Sequence, residues 1–505
     1  MIEPGMATSP ESEVAPDPGA LIESMRAFGY SLPSAVADLI DNSISADARA
    51  IDVDFSWSGP NSTLAVTDDG RGMGAAELVE AMRLGSRSPL EAREATDLGR
   101  FGLGLKSAAW SQARSLTVIS KPRGGPVLAH RWDLDHVTST RRWSLLNSTT
   151  PGGLKIIEQF DGISRGTAVL LERLDRLVGE EPVEDERARE RFLTAVRATE
   201  EHLGMVFHRF LVGRNAILLR VNGNRVEPWD PFLENQPATQ RLPTEELPFA
   251  GRRVHVAPYV LPHVSKLDSQ THSGASGSRG WNAHQGFYVY RARRLLVAGD
   301  WLGLSRMQQE EHYKLARIRI DLDNTMDQAW QIDVRKATAR IPGPLQPELR
   351  RIAQTTRQRA AEAYRFRGKN VARRDGQEAI SFVWERIAHR DGVHTFRVNR
   401  RHPVLRALGS DSDETQRAVE RALRLTEENL PVEAIVLDAR ENPDDRARLP
   451  FAGSESEVGD MLRNAHAAMV RTGTDPKAAL RSLATIEPFE AYPEIVQTLA
   501  EEIEL

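Results

Sequence analysis

The sequence predicts a mixed α/β (α+β) fold of two or three domains. Helical periodicity and short β-type runs alternate from residue 21 to about 178, which is typical of a sheet covered by helices. A long helix predicted at 187–211 is followed by the β-type runs of a second mixed α/β region, at 216–222, 253–260, 286–291 and 315–322. After Pro342 and Pro344 the pattern is mostly helical, with one β candidate at 394–398.

Four segments are expected, because 505 residues are too many for a single hydrophobic core. Residues 1–20 are rich in Pro, Glu, Ser and Gly and predict a disordered tail or an arm that orders on dimerisation. The acidic stretch 179–186 indicates a boundary between a first domain at 21–178 and a second domain at 179–345. Residues 346–505 form a mostly helical C-terminal region.

The composition describes an ordinary soluble globular protein, with 40% hydrophobic and 27% charged residues. No run reaches membrane-spanning length, and no basic region precedes an apolar stretch at the N-terminus, so we expect a cytoplasmic protein without membrane contact. The absence of cysteine excludes disulfides and thiolate metal sites. A net charge of −5 provides no general attraction to nucleic acid.

The first chemical motif, Asp-Leu-Ile-Asp-Asn at 38–42, lies on an amphipathic helix predicted at 31–48. Ser31 is suited to cap this helix, and Pro33 lies in its first turn. Asp38 and Asn42 are four residues apart, so their side chains share a face. Their hard oxygens suit Mg²⁺, and Asp38 could instead act as a general base on water. An ordinary solvated polar pair is the alternative.

The second motif, Asp-Asp-Gly-Arg-Gly-Met at 68–73, follows a β-type run at 64–67. Asp68 at the strand end could accept a hydrogen bond from an exocyclic amine such as adenine N6. Gly70 and Gly72 allow a turn and close approach of the backbone to a ligand. The alternative is a simple Asp-Gly turn.

The third motif is a glycine-rich loop, Gly-Arg-Phe-Gly-Leu-Gly-Leu-Lys at 99–106, which opens a helix predicted at 105–113. Its free backbone N–H groups and the helix dipole suit phosphate oxygens. Neither a Rossmann unit nor a P-loop surrounds it. The preceding residues 85–97 predict a mobile lid, or alternatively a plain surface loop.

Lysine usage singles out two positions. Of the 66 basic residues only 8 are Lys, which leaves 58 Arg. In a chain that uses Arg so heavily, a Lys indicates a need for a compact ammonium group. Lys106, at the end of the glycine loop, fits a charge on phosphate, and Lys336 is the other candidate.

Two basic clusters are candidate DNA contacts. The first spans 350–374 and the second contains Arg397, Arg400 and Arg401. Solvated charged faces are the alternative interpretation of both.

The three motifs together resemble those of the GHKL ATPases, which include type II topoisomerases, heat-shock chaperones, histidine kinases, MutL and MORC. The resemblance implies a Bergerat ATP-binding sandwich, followed by a ribosomal-S5-like α/β transducer domain. It makes Asp38 the catalytic acid and Asn42 the Mg²⁺ ligand. The implied ATP-binding residues are Asn42, Asp68, Gly70, Gly72, Met73, Gly85, Ser86, Gly99, Gly102, Leu103, Gly104, Leu105, Lys106 and Ser107.

Further segments most resemble MORC, MutL and their prokaryotic relatives. They are 42–48, 84–86, 104–107, a strand pair at 286–291 and 294–296, and the segment 330–336. The last resembles a transducer loop that delivers a lysine to the ATP γ-phosphate, which implies a catalytic role for Lys336. A solvated lysine at a strand end is the alternative.

One departure concerns the catalytic acid. ATP-hydrolysing relatives usually carry Glu where this chain has Asp38, and the shorter side chain places its carboxylate about 1.5 Å further from the water unless the backbone shifts. This raises the options of slow turnover or of ATP acting as a conformational latch.

The resemblance implies an ATP-dependent switch that uses Mg²⁺, dimerises with nucleotide and acts on DNA in repair, chromosome handling or phage defence, with helicase or nuclease partners. A chaperone-like ATPase acting on protein clients and a non-hydrolysing scaffold latched by ATP are the alternatives. A histidine kinase is disfavoured because no His lies on a helix just ahead of Asp38. Nothing provides the strand-cleaving chemistry of a topoisomerase.

Overall fold

The structure is a computed structural model that describes residues 16–27, 29–85, 104–333, 338–364, 383–388, 394–408, 413–432, 451 and 454–504. These residues form two mixed α/β regions, each built on its own sheet, and a smaller C-terminal region that is mostly helical. The mixed α/β (α+β) class predicted from the sequence is confirmed.

The first sheet has seven strands in the described residues, in the order β4-β3-β5-β2-β1-β6-β7. Its strands are β1 (Ala50–Ser56), β2 (Thr63–Asp68), β3 (Ser115–Lys121), β4 (Leu128–Asp133), β5 (Gly166–Glu172), β6 (Leu218–Val221) and β7 (Asn224–Arg225). Strand β6 pairs with β1 in parallel, and the other neighbours are antiparallel. The central strands β3 and β5 are buried along nearly their whole length.

Helices cover both faces of this sheet because successive strand residues point to opposite sides. On β5, Val169 and Leu171 join the larger core, whereas Ala168 and Leu170 face the smaller one. The helices of this region are α1 (Pro18–Arg26), α2 (Leu32–Ser45), α3 (Ala75–Met82), α4 (Gly104–Gln112), α5 (Leu134–Thr140), α6 (Pro151–Phe160) and α7 (Glu186–Val206). Helices α2, α4 and α7 contribute to the larger core and α6 to the smaller one.

The first sheet continues past residue 178, where the sequence indicates a boundary. Helix α7 buries Phe192 and Leu203 in the larger core, and β6 adds Leu219 and Val221 to it. The core of this region therefore ends at Val226.

The second sheet has the order β12-β11-β13-β10-β8, with β9 also paired to β10. Its strands are β8 (Gln240–Arg241), β9 (Glu245–Phe249), β10 (Arg252–Val260), β11 (Gly286–Arg291), β12 (Arg294–Asp300) and β13 (Ala316–Leu322). The predicted strand pair at 286–291 and 294–296 is confirmed. Helices of this region are α8 (Ser269–Ser276), α9 (Gly280–Ala283) and α10 (Gln346–Tyr364).

The described part of the C-terminal region contains a two-stranded antiparallel sheet and several helices. The predicted strand at 394–398 is confirmed as β15 (His394–Val398), and its partner β14 (Trp384–Ala388) was not predicted. The helices are α11 (Pro403–Leu408), α12 (Asp413–Glu428), α13 (Glu455–Arg471), α14 (Pro476–Leu483) and α15 (Pro493–Glu504). Helices α13, α14 and α15 share a separate apolar core around Leu462, Leu483 and Phe489.

None of the helices in the described ranges combines the length and the apolar character needed to cross a lipid bilayer.

Candidate functional site

Helix α2 carries the first motif and begins as the sequence predicts. The Ser31 hydroxyl accepts a hydrogen bond from the Ser34 amide at 3.4 Å, and a proline occupies the first turn. The helix ends at Ser45, three residues earlier than expected. Asp38 is buried, with 2% exposure, whereas Asn42 is exposed one turn later.

The carboxylate of Asp38 is contacted from two directions. The Tyr30 hydroxyl donates to Oδ2 at 2.9 Å, and Nη2 of Arg294 lies 3.5 Å from Oδ1. A Cβ atom placed on Gly104 would lie 3.9 Å from Oδ2, so the start of α4 is adjacent to Asp38. The first and third motifs therefore meet at this carboxylate.

Asp68 ends strand β2, and the donors to its carboxylate include the backbone of Thr167 on β5. The Ser43 hydroxyl, on helix α2, donates to Oδ2 at 2.7 Å, and the Gly70 amide donates to Oδ1 at 2.9 Å. Burial raises the pKa of Asp68, and these hydrogen bonds oppose that shift by stabilising the carboxylate. The first and second motifs are thus joined through a single buried acid.

Gly72 is required by backbone packing within the domain. Its φ is +68°, and a Cβ atom there would lie 2.0 Å from the carbonyl oxygen of Lys121 on β3. The amide of the next residue, Met73, donates to the Ser120 hydroxyl at 2.9 Å. Gly70 is crowded too, since a Cβ atom would lie 2.8 Å from Asp68 Oδ1. The glycines of the second motif hold its turn against the sheet.

The third motif is described only from Gly104 onward. Ser86, Gly99, Gly102 and Leu103, which the sequence assigns to ATP binding, lie outside the described residues, as does most of the predicted lid. Gly85 is exposed and has a φ of +64°. Leu105 packs against the larger core, and Ser107 hydrogen-bonds the Tyr30 side chain.

Lys106 is buried and donates from Nζ to the carbonyl of Ala81 at 2.9 Å. This places its ammonium at the C-terminal end of α3, where the helix dipole favours a cation. Burial lowers the pKa of Lys106 to about 8, and the nearby Glu80 opposes that shift. An ammonium has three N–H donors, so this hydrogen bond is compatible with the expected contact with phosphate.

The segment that leads to Lys336 approaches the site, although Lys336 itself lies outside the described residues. Trp330 and Ile332 are buried in the core of the second sheet. Burial raises the pKa of Tyr30, and the negative charges of Asp38 and Asp333 add to that effect. Asp333 is therefore within electrostatic reach of the tyrosine that contacts Asp38.

Sequence reasoning assigned no role to Tyr30, Ser43 or Arg294. Ser43 directly follows the first motif and lies in the segment 42–48, which resembles MORC. Arg294 begins the predicted strand at 294–296, but its contact with Asp38, like that of Tyr30, depends on folding.

The donors available suit Mg²⁺ held mainly by phosphate and water. No group of three or more His, Asp or Glu residues in the described ranges is arranged to hold a metal ion. Mg²⁺ commonly uses only one or two protein oxygens and keeps several waters. The exposed amide oxygen of Asn42, one turn from Asp38, fits that requirement.

Comparison with known proteins agrees with this geometry. Residues 30–167 match the family described as histidine kinase-, DNA gyrase B-, and HSP90-like ATPase. The chain is also 35% identical over 105 residues to ATPase morc-1 of Caenorhabditis elegans, an alignment that covers 20% of this chain and 12% of that protein. The family match contains the buried acids Asp38 and Asp68 and the exposed Asn42. Residues 30–167 are therefore similar to GHKL ATPase domains, and part of the chain resembles a MORC ATPase.

Proposed function

We propose that this protein is an ATP-dependent molecular switch whose nucleotide state is transmitted from the first sheet to the second. The observation that carries the proposal is the convergence of the motifs on helix α2. Ser43 of this helix holds Asp68, while Asp38 lies beside the start of α4. These contacts place three parts of the proposed site around one helix: Asp68 for the adenine, Asp38 for the attacking water, and the start of α4 for the phosphates.

Each residue has a distinct proposed role. Asp68, oriented by Ser43 and Gly70, accepts the hydrogen bond of the adenine amine. Asn42 offers its exposed oxygen to Mg²⁺, which supplies charge neutralisation to the phosphate oxygens when bound. The amides at the start of α4 face the phosphates.

Asp38 is proposed to orient the attacking water, with Lys336 stabilising charge on the γ-phosphate. Because Asp38 is shorter than Glu, we expect slow hydrolysis. The long-lived ATP state suits a conformational latch, in which binding does the mechanical work and hydrolysis resets it.

We further propose a nucleotide-dependent homodimer that acts on DNA, on the strength of the MORC resemblance. The described part of the first basic cluster supports this only weakly. Arg351 pairs with Glu245 and Glu348, Arg359 pairs with Glu362, and Arg357 contacts Glu310. A DNA contact would therefore depend on the rest of that cluster, at 365–374, or on Arg397 and Arg401.

A chaperone-like activity on protein clients is the second candidate, and the client can be determined by retention on duplex DNA. Binding that falls steeply with salt indicates phosphate contacts. Retention of unfolded protein with no retention of DNA would favour the chaperone-like activity.

Substitution of Asp68 tests the nucleotide site directly. In Asp68→Asn one acceptor oxygen becomes a donor, so the adenine amine loses its charged partner, which costs about 1.5–3 kcal/mol or roughly 10- to 100-fold in affinity. Titration with a fluorescent ATP analogue measures the dissociation constant.

The neighbouring Asp69 provides a matched control. It is exposed and accepts hydrogen bonds from the amides of Arg49 and Ala50, at 2.6 and 2.9 Å. Asp69→Asn keeps an acceptor for those amides and should bind nucleotide as the unmodified protein does. Equal affinity of the Asp68 variant, the Asp69 variant and the unmodified chain would reject the assignment of the base-binding acid.

A further inference from the structure

A buried cluster of charges connects the two sheets at the ATPase site. Arg294, the first residue of β12, places Nε 2.8 Å from Oδ2 of Asp41 and Nη2 3.5 Å from Oδ1 of Asp38. The three side chains are between 1% and 3% exposed. One guanidinium of the second sheet thus contacts two carboxylates of helix α2.

The turn of the hairpin that delivers Arg294 places two residues other than glycine at positive φ. Between β11 and β12, Ala292 and Arg293 have φ values of +46° and +74°, a region that disfavours residues with a Cβ atom. The turn is held from outside, because Arg293 donates to the carbonyl of Arg209 and lies 4.9 Å from the Phe210 ring. Backbone strain of this kind persists only where the surrounding structure imposes it, and it is common at functional sites.

The two carboxylates need a positive charge between them. Asp38 and Asp41 are three residues apart on one helix, so their like charges are close as well as buried. A buried charge is tolerated only when it is paired, and the planar fork of an arginine suits two acceptors at once. The second sheet therefore supplies a counter-charge that helix α2 requires.

We propose that Arg294 is a positioning residue for the ATPase reaction, through which strand β12 sets the orientation of the Asp38 carboxylate. This inference rests on the proposed function, in which Asp38 orients the water. Tyr30 donates to one oxygen of Asp38 and Arg294 contacts the other, so the carboxylate cannot rotate without losing one of these contacts. Movement of the second sheet would therefore displace the Asp38 carboxylate directly.

The expected consequence is a change in turnover with little change in binding. A misplacement of about 1 Å at a reacting group can reduce the rate by about 100-fold. Arg294 contacts Asp38 and Asp41, to which the proposed function gives no part in binding adenine or Mg²⁺, so the nucleotide affinity should be retained.

The experiment compares Arg294→Gln and Arg294→Lys with Arg291→Gln in the full-length protein. Arg291 is the matched control because it belongs to the same hairpin, is equally buried and pairs with Asp327 of its own region at 2.7 Å. Three readouts are taken: affinity for a fluorescent ATP analogue, steady-state turnover, and amide hydrogen exchange in residues 32–45.

For Arg294→Gln we expect kcat to fall about 10- to 100-fold while the analogue binds within about threefold of the unmodified protein. Amide exchange in α2 should rise. Arg294→Lys keeps the charge but not the fork, so its kcat should fall less. Arg291→Gln should change neither α2 exchange nor the ratio of kcat to affinity.

Unchanged kcat and unchanged α2 exchange in Arg294→Gln would overturn the proposal while leaving the ATPase intact. If the unmodified protein fails to bind ATP, the proposed function fails instead. If it binds ATP without turnover, there is no reaction for Arg294 to serve and the positioning role is rejected. If both Arg294 variants lose their folded structure, the residue serves stability alone and a positioning role is rejected.

Discussion

At the scale of the residue, Asn42 allows the metal assignment to be tested without disturbing the fold. Its side chain is exposed on a helix whose other central residues are buried. Asn42→Ala replaces it with the best helix former, so thermal stability should be unchanged or slightly higher. Loss of the oxygen ligand should abolish Mg²⁺-dependent ATP binding or turnover, as measured by nucleotide titration with and without the metal.

Ser34→Ala is the control for this substitution, since it also replaces a polar side chain on α2 but at the opposite end. It should bind and hydrolyse ATP normally. If Asn42→Ala does so as well, Asn42 is not the metal ligand.

Single residues were predictable where a motif defines them. The position of Asp68 at a strand end and the cap by Ser31 follow from local sequence. Lys106 shows the limit, because its hydrogen bond to the carbonyl of Ala81 was not predicted, while its contact with phosphate stays a prediction. Its partner lies in another helix, and no local pattern encodes that distance. Lys336 and the lid residue Ser86 stay predictions.

At the scale of the element, the turn of the second motif depends on its glycine. Gly72→Ala introduces both a left-handed conformation for an L-residue and a Cβ atom 2.0 Å from the Lys121 carbonyl. We expect a loss of about 2–4 kcal/mol in the free energy of unfolding, because strain and overpacking add. Denaturant unfolding measures it.

Gly74→Ala is the matched comparison, since no atom lies within 4 Å of its added Cβ and its φ is −76°. Its free energy of unfolding should change by less than about 1 kcal/mol, the loss attached to a poorer N-cap. Equal effects of the two substitutions would show that β3 can shift to accommodate a Cβ atom at position 72, despite the close contact with the Lys121 carbonyl.

Most elements were predictable because periodicity reports burial on one face. Strand β13 and helix α10 illustrate this, with apolar residues spaced to face the second core. Strand β14 was missed because its half-exposed, charged sequence lacks alternation, and it is defined by pairing with β15. Pairing partners distant in sequence leave no local signal.

At the scale of the whole molecule, ATP should change the state of association. A bound nucleotide shifts a conformational equilibrium only if one state binds it better, and a clasped dimer offers that difference by covering the site. Sedimentation with a non-hydrolysable ATP analogue should convert monomer to dimer. The Asp68→Asn variant should stay monomeric at the same analogue concentration, and an unmodified protein that sediments identically with and without nucleotide would exclude the clasp.

The arrangement of the whole was the least predictable. The fold class and the two α/β regions follow from alternating periodicities, but the sheet order does not. Strand β6 joins β1 across a long stretch of chain, with Arg220 pairing Asp52 at 2.7 Å. Arg294 reaches Asp38 and Asp41 across an even longer separation.

The position of β6 in the chain determines where a shortened fragment of the protein can end. A fragment that stops at residue 178 would strip β1 of its parallel neighbour and leave a row of bare backbone groups, which invites copies to aggregate. It would also lack Phe192 and Leu203, which fill the same core as Val36. A fragment that folds by itself and binds nucleotide must therefore extend at least to Val226. The strands that complete its sheet lie well beyond the third motif in the chain.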